Sequence, residues 1–189
     1  MNKYFISAQE LLLDSFKLAQ QIRLSGFKPN FIIGVWRGGT PVGIAIQEYL
    51  DYVGIESDHI AIRTSSYHGI NQQEKEVRVH GLDYIVDNID AQDHVLLVDD
   101  VFDSGRSMQA IIQELSARAR RNMANTVKIA CPWFKPEKNK TELVPDFYLH
   151  TTNDWLVFPH ELSGLTLSEI TAVKPNEISS LLAQVFKDA

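Results

Sequence analysis

The stretch His94–Met108, HVLLVDDVFDSGRSM, decides how this chain is read. Val95–Val98 form a short, continuously apolar run, the pattern of a strand buried on both faces. The run ends in Asp99 and Asp100, two neighbouring carboxylates that repel each other, so a binding partner outside the chain is expected there. Asp103, Ser104, Gly105, Arg106 and Ser107 follow and lead straight into SMQAIIQELSARA, an amphipathic helix. Amides at a helix N-terminus form an anion site; Gly105 lets the backbone come close to a phosphate, and the Ser104 and Ser107 hydroxyls add donors. Taken alone, this segment is an ordinary helix start, and the acidic pair an ordinary solvated strand end. Together they suit a molecule bearing both a phosphate and hydroxyls, because carboxylates accept hydrogen bonds from a ribose. The same pair suits Mg2+, which takes oxygen ligands and often bridges to substrate phosphates.

Working outward, SAQELLLDSFKLAQQI opens with a capping box, Ser7 and Glu10. Leu11, Ser15, Leu18 and Ile22 follow at helical spacing, with Leu12, Phe16 and Ala19 widening the apolar stripe and Gly26 ending the helix. NFIIGVW reads as a buried strand, and TPVGIAIQEYL as a helix with Pro41 in its first turn. HIAIRTSSY, TVKIACPWF and DFYLHTT supply further strands. Residues 68–79, HGINQQEKEVRV, are polar without an apolar face and read as a long mobile loop or a loose hairpin. Strands alternating with helices predict an α/β fold, a mostly parallel sheet covered by helices on both faces. KPNEISSLLAQVF predicts a C-terminal helix with an apolar face of Ile178, Leu181, Leu182 and Val185, for packing or oligomer contact.

The chain has 189 residues, 44% of them hydrophobic and 22% charged, with a net charge of -6. That length suits one domain with a full core, and the acidity argues against a general nucleic-acid or anionic-membrane surface. A single cysteine, Cys131, excludes an intrachain disulfide; following the apolar run VKIA, it reads as a buried, inert thiol. With no signal-peptide pattern and no apolar run long enough to span a bilayer, the expected location is the cytoplasm.

In such a sheet, ligands gather beyond the carboxyl ends of the strands. Three loops there carry unusual chemistry: RGG at 37–39, DDVFDSGRS at 99–107, and the segment after WFKP at 133–136. Arg37 meets an anion with a planar fork, and Gly38 and Gly39 permit close backbone approach. An acidic pair with a lysine on a later strand is also found in phosphorelay receiver domains. There the pair lies near the N-terminus; here it falls mid-chain with Asp103 on the same loop.

The assembled pattern resembles the phosphoribosyltransferases, most closely the hypoxanthine and xanthine-guanine enzymes. VLLVDDVFDSGRSM is similar to their signature for phosphoribosyl pyrophosphate, GVWRGGTPVG to their pyrophosphate loop, and TSSYHGINQQEKEVRV to a catalytic loop. WFKP and NDWLVFPHE resemble purine-recognition segments. The likeness runs in order from about Tyr4 to Leu162. It implies a type I phosphoribosyltransferase fold over residues 1–165, with a small base-binding hood at 150–162, and a helical extension at 166–189.

Carried over by position, the resemblance implies that Asp99 and Asp100 hold the ribose hydroxyls, directly or through Mg2+. Asp103 matches the aspartate that faces purine N7 and acts as general base. Ser104, Gly105, Arg106 and Ser107 match the 5′-phosphate cradle, and Arg37 and Gly38 the pyrophosphate contacts. Lys135 matches the donor to purine O6, Trp155 the aromatic that stacks on the base, and Leu156 a backbone carbonyl at the purine edge. Ser66 and Tyr67 match the start of the mobile loop, which is expected to close over the site and keep water from the activated sugar. Glu161 matches an acidic position associated with a second Mg2+, but it is longer than the usual aspartate and follows His160 where relatives carry an aromatic.

The implied function is Mg2+-dependent transfer of a phosphoribosyl group from phosphoribosyl pyrophosphate to a 6-oxopurine, in purine salvage, by a homodimer or homotetramer. The rival is a regulatory protein that uses the same fold to sense phosphoribosyl pyrophosphate or nucleotides. A basic face or an added nucleic-acid-binding domain would favour the rival, and neither is evident in the sequence. An enzyme acting on a pyrimidine fits the purine-like segments less well.

Overall fold

A computed structural model describes residues 3–67 and 76–185. In chain order the elements are β1 (Lys3–Phe5), α1 (Ala8–Leu24), β2 (Phe31–Trp36), α2 (Gly39–Tyr52), β3 (Asp58–Tyr67) and β4 (Glu76–His80). There follow α3 (Asp83–Asn88), β5 (His94–Val98), β6 (Val101–Phe102), α4 (Arg106–Ala119) and β7 (Thr126–Phe134). The chain then runs through β8 (Phe147–Thr151), β9 (Trp155–Val157), α5 (Leu167–Val173) and α6 (Asn176–Val185). The expected α/β architecture, a mostly parallel sheet flanked by helices, is present.

The chain divides into two compact units: Leu12–Asn153, and the two chain ends up to Leu11 and from Asp154 onwards. The first holds the large sheet, in the order β4-β3-β2-β5-β7-β6, with β8 on the other edge of β7. All its pairings are parallel except β3 with β4. Side chains alternate between the faces of a strand, and one face carries Phe31, Ile33, Val35, Val95 and Leu97 into a core with Ile85 of α3 and Met108, Ile111 and Leu115 of α4. Ile33, Leu97, Ile111 and Leu115 are fully buried, each worth about 1.5–3 kcal/mol in removed apolar surface. On α2, Gly43 sits against Gly34 of β2, where a side chain would meet the Gly34 Cα at 3.8 Å and the Val98 Cβ at 4.0 Å.

One local reading, in α1, is corrected, and another, at 68–79, is narrowed. In α1 the covered stripe is Leu11, Asp14, Ser15, Leu18, Ala19 and Ile22, whereas Leu12 and Phe16 are 49% and 37% exposed. The stripe is narrower than expected because Asp14 takes a place in it, accepting from Lys17 Nζ at 2.9 Å and bonded to His150 Nε2 at 2.7 Å. Within 68–79, residues 76–79 belong to β4, which pairs with β3 through Ser66↔Val77 and Tyr67↔Glu76, so the hairpin reading holds at its base. Residues 68–75 and the side chains of Ser66 and Tyr67 lie outside the described residues, and with them the expected loop closure.

The second unit pairs β1 with β9 in parallel. Lys3 Nζ reaches Glu169 Oε1 at 2.7 Å, and Glu169 completes a capping box with Thr166 at the start of α5. Lys3, then the Thr166 amide, hold the Glu169 carboxyl down to about 2. The expected break at 165/166 falls inside this unit. Among the described residues no helix is long and apolar enough to cross a membrane.

Candidate active site

β5 and β6 lie along the same strand, β7, but not continuously. β5 pairs up to Val98↔Ala130 and β6 resumes at Val101↔Trp133, leaving Asp99 and Asp100 in the interruption. The Asp99 amide still donates to the Ala130 carbonyl at 3.1 Å. On the other side, β2 accompanies β5 only as far as Gly34↔Val98 and then turns through 37–39 into α2. That turn presses on the acidic pair. A Cβ on Gly38 would lie 1.7 Å from Asp100 Oδ2, and one on Gly39 would lie 2.2 Å from the Val98 carbonyl oxygen. Arg37 is exposed beside this contact, follows a cis peptide bond from Trp36, and has no ion-pair partner among the described residues. The expected pyrophosphate loop and acidic pair therefore meet.

Burial, and then the Asp100 carboxylate beside it, push the Asp99 carboxyl well above the usual carboxylate range. The Asp100 and Gly39 amides oppose the shift, the former donating to Asp99 Oδ1 at 3.0 Å. Crowded like charges on hard oxygen donors are what a divalent cation relieves. No group of three acidic, histidine or cysteine residues with metal-binding geometry occurs among the described residues. A cation held by this pair would thus draw its remaining ligands from water and substrate, as Mg2+ commonly does.

The raised Asp99 pKa has a sign in stability. The folded state holds this proton more tightly than the unfolded state, so its contribution is complete below the ordinary carboxylate pKa and fades as pH rises through the raised one. In chelator-containing, ligand-free buffer, the unfolding midpoint of the wild type relative to that of Asp99→Asn is expected to fall as pH rises from 4 through that window. Thermal unfolding of both proteins from pH 4 to 8 checks this; parallel curves would refute it.

The second loop forms around Gly105, whose φ of 75° places it in the left-handed region just before α4. Gly105 also has no room for a side chain, since a Cβ would lie 2.3 Å from Thr141 Oγ1 and 2.9 Å from Asn139 Oδ1. The segment after β7 folds back onto this turn. The Lys140 amide donates to the Ser104 carbonyl at 3.0 Å, and Asn139 Oδ1 accepts from both the amide and the hydroxyl of Thr141 at 3.0 Å. Asp99, Asp103, Ser104, Gly105 and Ser107 line one small cavity of about 70 Å3. Lys135, at the end of β7, is 5% exposed, and its Nζ donates to Asp103 Oδ2 at 3.0 Å. Eight of the expected residues, Asp99, Asp100, Asp103, Ser104, Gly105, Arg106, Ser107 and Lys135, are thereby assembled at the carboxyl ends of β5, β6 and β7.

Trp155, Leu156 and Glu161 belong to the second unit. Trp155 is 47% exposed, with the Lys3 ammonium 5.7 Å from its ring centroid, and Leu156 is buried. Glu161 Oε2 accepts from the Phe158 amide at 3.0 Å, closing a turn that Lys174 also clasps by donating to the Phe158 and Pro159 carbonyls. Burial lowers the Lys174 pKa, and Glu161 partly restores it. This is a structural use of Glu161. Cys131 is buried, and burial pushes its thiol far up, in keeping with an inert side chain.

Sequence reasoning missed Lys138 and Lys140. Both line a larger cavity next to the Ser104–Ser107 turn. The signal was legible in KPEKNK, residues 135–140, with three lysines in six residues immediately after a buried strand.

Residues 6–164 match the sequence profile of the phosphoribosyl transferase domain. Among solved structures, the chain is similar to a purine phosphoribosyltransferase from Pyrococcus horikoshii, at 28% identity and a TM-score of 0.67, covering 88% of this chain and 98% of that one. It is also similar to a hypothetical protein from Neisseria gonorrhoeae with bound ppGpp, at 22% identity and TM-score 0.73, over 91% and 95% of the two chains. A xanthine-guanine-hypoxanthine phosphoribosyltransferase from Helicobacter pylori follows at 18% identity and TM-score 0.65, over 90% and 98%. The curated proteins contain no significant match.

Proposed function

The chain belongs to the phosphoribosyl transferase domain family, and from that premise we propose that it transfers the phosphoribosyl group of phosphoribosyl pyrophosphate to a 6-oxopurine. Hypoxanthine, guanine and xanthine are the candidate bases, Mg2+ the cofactor, and cytoplasmic purine salvage by a homodimer or homotetramer the setting. The observation that carries the base class is the Lys135–Asp103 pair. A buried ammonium and a carboxylate stand 3.0 Å apart beside the phosphate turn. A 6-oxopurine offers an acceptor, O6, next to a ring nitrogen that can carry a proton, so Lys135 donates to O6 while Asp103 accepts from the ring N–H. Adenine, with an amino group at that position, has no acceptor for Lys135.

In the reaction, the bond from the anomeric carbon to pyrophosphate breaks, a bond from that carbon to the purine forms, and the purine proton passes to Asp103. The amides and hydroxyls of 104–107 hold the 5′-phosphate at the start of α4. Arg37 and the turn amides at the start of α2 face the charge that develops on pyrophosphate. Asp99 and Asp100 are the residues that would hold Mg2+, which would supply further positive charge toward the leaving group.

The test is pyrophosphate release from phosphoribosyl pyrophosphate with each purine and pyrimidine offered separately. Release with 6-oxopurines alone is expected. Lys135→Ala is expected to lower kcat/KM for the purine by about 10–100-fold, the worth of a charge-assisted hydrogen bond. The KM for phosphoribosyl pyrophosphate should change by no more than about twofold, the scale of an ordinary context effect on a contact not removed. Equal losses on both substrates would remove Lys135 from base recognition. No release with any base, despite binding of phosphoribosyl pyrophosphate, would make the protein a sensor.

A further inference from the structure

The strand that carries Trp155 is braced by the residues after it. β1 and β9 run in parallel with Lys3 opposite Trp155, and directly opposed side chains lie on one face of a sheet. The Lys3 ammonium accordingly stands over the Trp155 ring, 5.7 Å from its centroid. It is fixed there, because Nζ donates to Glu169 Oε1 at 2.7 Å and to the Gly164 carbonyl at 3.3 Å. Glu169 is fixed in turn, its Oε2 accepting from the Thr166 amide at 2.8 Å and the Thr166 hydroxyl at 3.1 Å. Gly164 lies at the edge of the same ring, where a Cβ would meet Trp155 Cζ2 at 3.8 Å. Just beyond the far end of α5, Lys174 donates to the Phe158 and Pro159 carbonyls at 2.8 and 3.1 Å. The segment 155–159 is therefore gripped from both ends of α5, each time through an ammonium. A cation attracted to the electron-rich face of an indole restrains the ring. A planar base cannot stack where that ammonium sits, so it takes the opposite face.

We propose that Lys3 and Glu169 are positioning residues for the purine: their ion pair, between β1 and α5, holds the Trp155 indole in the orientation that receives the base. The segment that follows Gly164 thereby serves base recognition through its grip on the ring. The proposal rests on the 6-oxopurine reading for the role of Trp155 and adds what aims that side chain. Neither Lys3 nor Glu169 needs to touch the substrate. The Glu169 carboxyl, held down to about 2 by Lys3 and the Thr166 amide, stays ionised at neutral pH and keeps the ammonium in place.

Steady-state kinetics of the full chain, with hypoxanthine and phosphoribosyl pyrophosphate varied in turn, tests this. Lys3→Met keeps an unbranched stem and removes the charge. It is expected to raise the KM for hypoxanthine by about 3–10-fold, the worth of a partly desolvated cation–π contact. The KM for phosphoribosyl pyrophosphate should change by no more than about twofold. Lys3→Arg, whose guanidinium also pairs with a carboxylate and stacks on an indole, is expected to stay within about twofold of wild type on both substrates. Glu169→Gln, which keeps an oxygen for the Thr166 amide, is expected to raise the hypoxanthine KM in the same direction as Lys3→Met. In a Trp155→Ala background, Lys3→Met is expected to add less than about twofold, because the ring it aims is gone. An unchanged hypoxanthine KM in Lys3→Met would overturn the proposal while leaving the transferase reading intact. So would equal losses on the two substrates, or the same loss with and without Trp155. No turnover of any 6-oxopurine by the wild-type protein would remove both readings.

Discussion

An Asp103→Asn variant is expected to stay folded and to lose about two to four orders of magnitude in kcat, the usual worth of a positioned general base. Asparagine keeps the size of the side chain and an oxygen that accepts from Lys135 Nζ, so the contact at 3.0 Å has a replacement partner. What it loses is the capacity to take the purine proton. The substitution also takes the counter-charge from an ammonium whose side chain is 6% exposed, although the Asp103 carboxylate itself is 46% exposed and partly screened by water. A stability loss of about 1–2 kcal/mol follows, between the values for surface and buried pairs. In a chain of this size that corresponds to a fall in unfolding midpoint of roughly 2–8 °C. Single-turnover rates at saturating phosphoribosyl pyrophosphate, with thermal unfolding of the same sample, separate the two effects. A rate within threefold of wild type would leave the Lys135–Asp103 pair as a structural bridge and take the base role away from Asp103.

What the sequence made legible was largely local. The apolar run, the acidic pair and the glycine before a helix lie within fifteen consecutive residues, and each has a physical signature at short range. Ser7 and Glu10 were read as a capping box and form one, with the Glu10 amide donating to Ser7 Oγ at 3.1 Å. The same signal in Thr166 and Glu169 went unread because only seven helical residues follow it, too few for a periodic apolar face to stand out. The misjudged flank of α1 has a different cause. Periodicity identifies a helix, but which side of the stripe meets the sheet depends on neighbours distant in sequence, here a histidine 136 residues away from Asp14. The pairing of β1 with β9 and the folding of 138–141 onto the 104–107 turn are likewise non-local. The individual site residues were thus visible, but the interruption of β5 that sets Asp99 and Asp100 against the 37–39 turn was not.

That contact yields the second large effect. Gly39→Ala is expected to destabilise the protein by about 3 kcal/mol or more, because the added carbon would overlap atoms that have nowhere to move. It would stand 2.2 Å from the Val98 carbonyl oxygen and 2.8 Å from the Asp99 Cα, both backbone, at the end of a central strand paired on both sides. Either α2 lifts from the sheet or β5 shifts, and each breaks packing around fully buried Val98 and Ile46. The expected fall in unfolding midpoint is roughly 6 °C or more. Gly38→Ala gives the contrast. Its added carbon would meet the Asp100 carboxylate, with Oδ2 at 1.7 Å and Cγ at 2.2 Å, and that side chain can rotate away at a cost of about 1 kcal/mol. The fold then survives while Asp100 leaves its place beside Asp99. Weaker binding of phosphoribosyl pyrophosphate follows, by about 10–100-fold, as for loss of a charged partner. Measuring unfolding midpoint and ligand affinity on both variants distinguishes a backbone clash from a displaced carboxylate. A Gly39→Ala protein as stable as wild type would mean that the turn does not press on the strand end, and the geometry that joins the 37–39 turn to the acidic pair would fall with it.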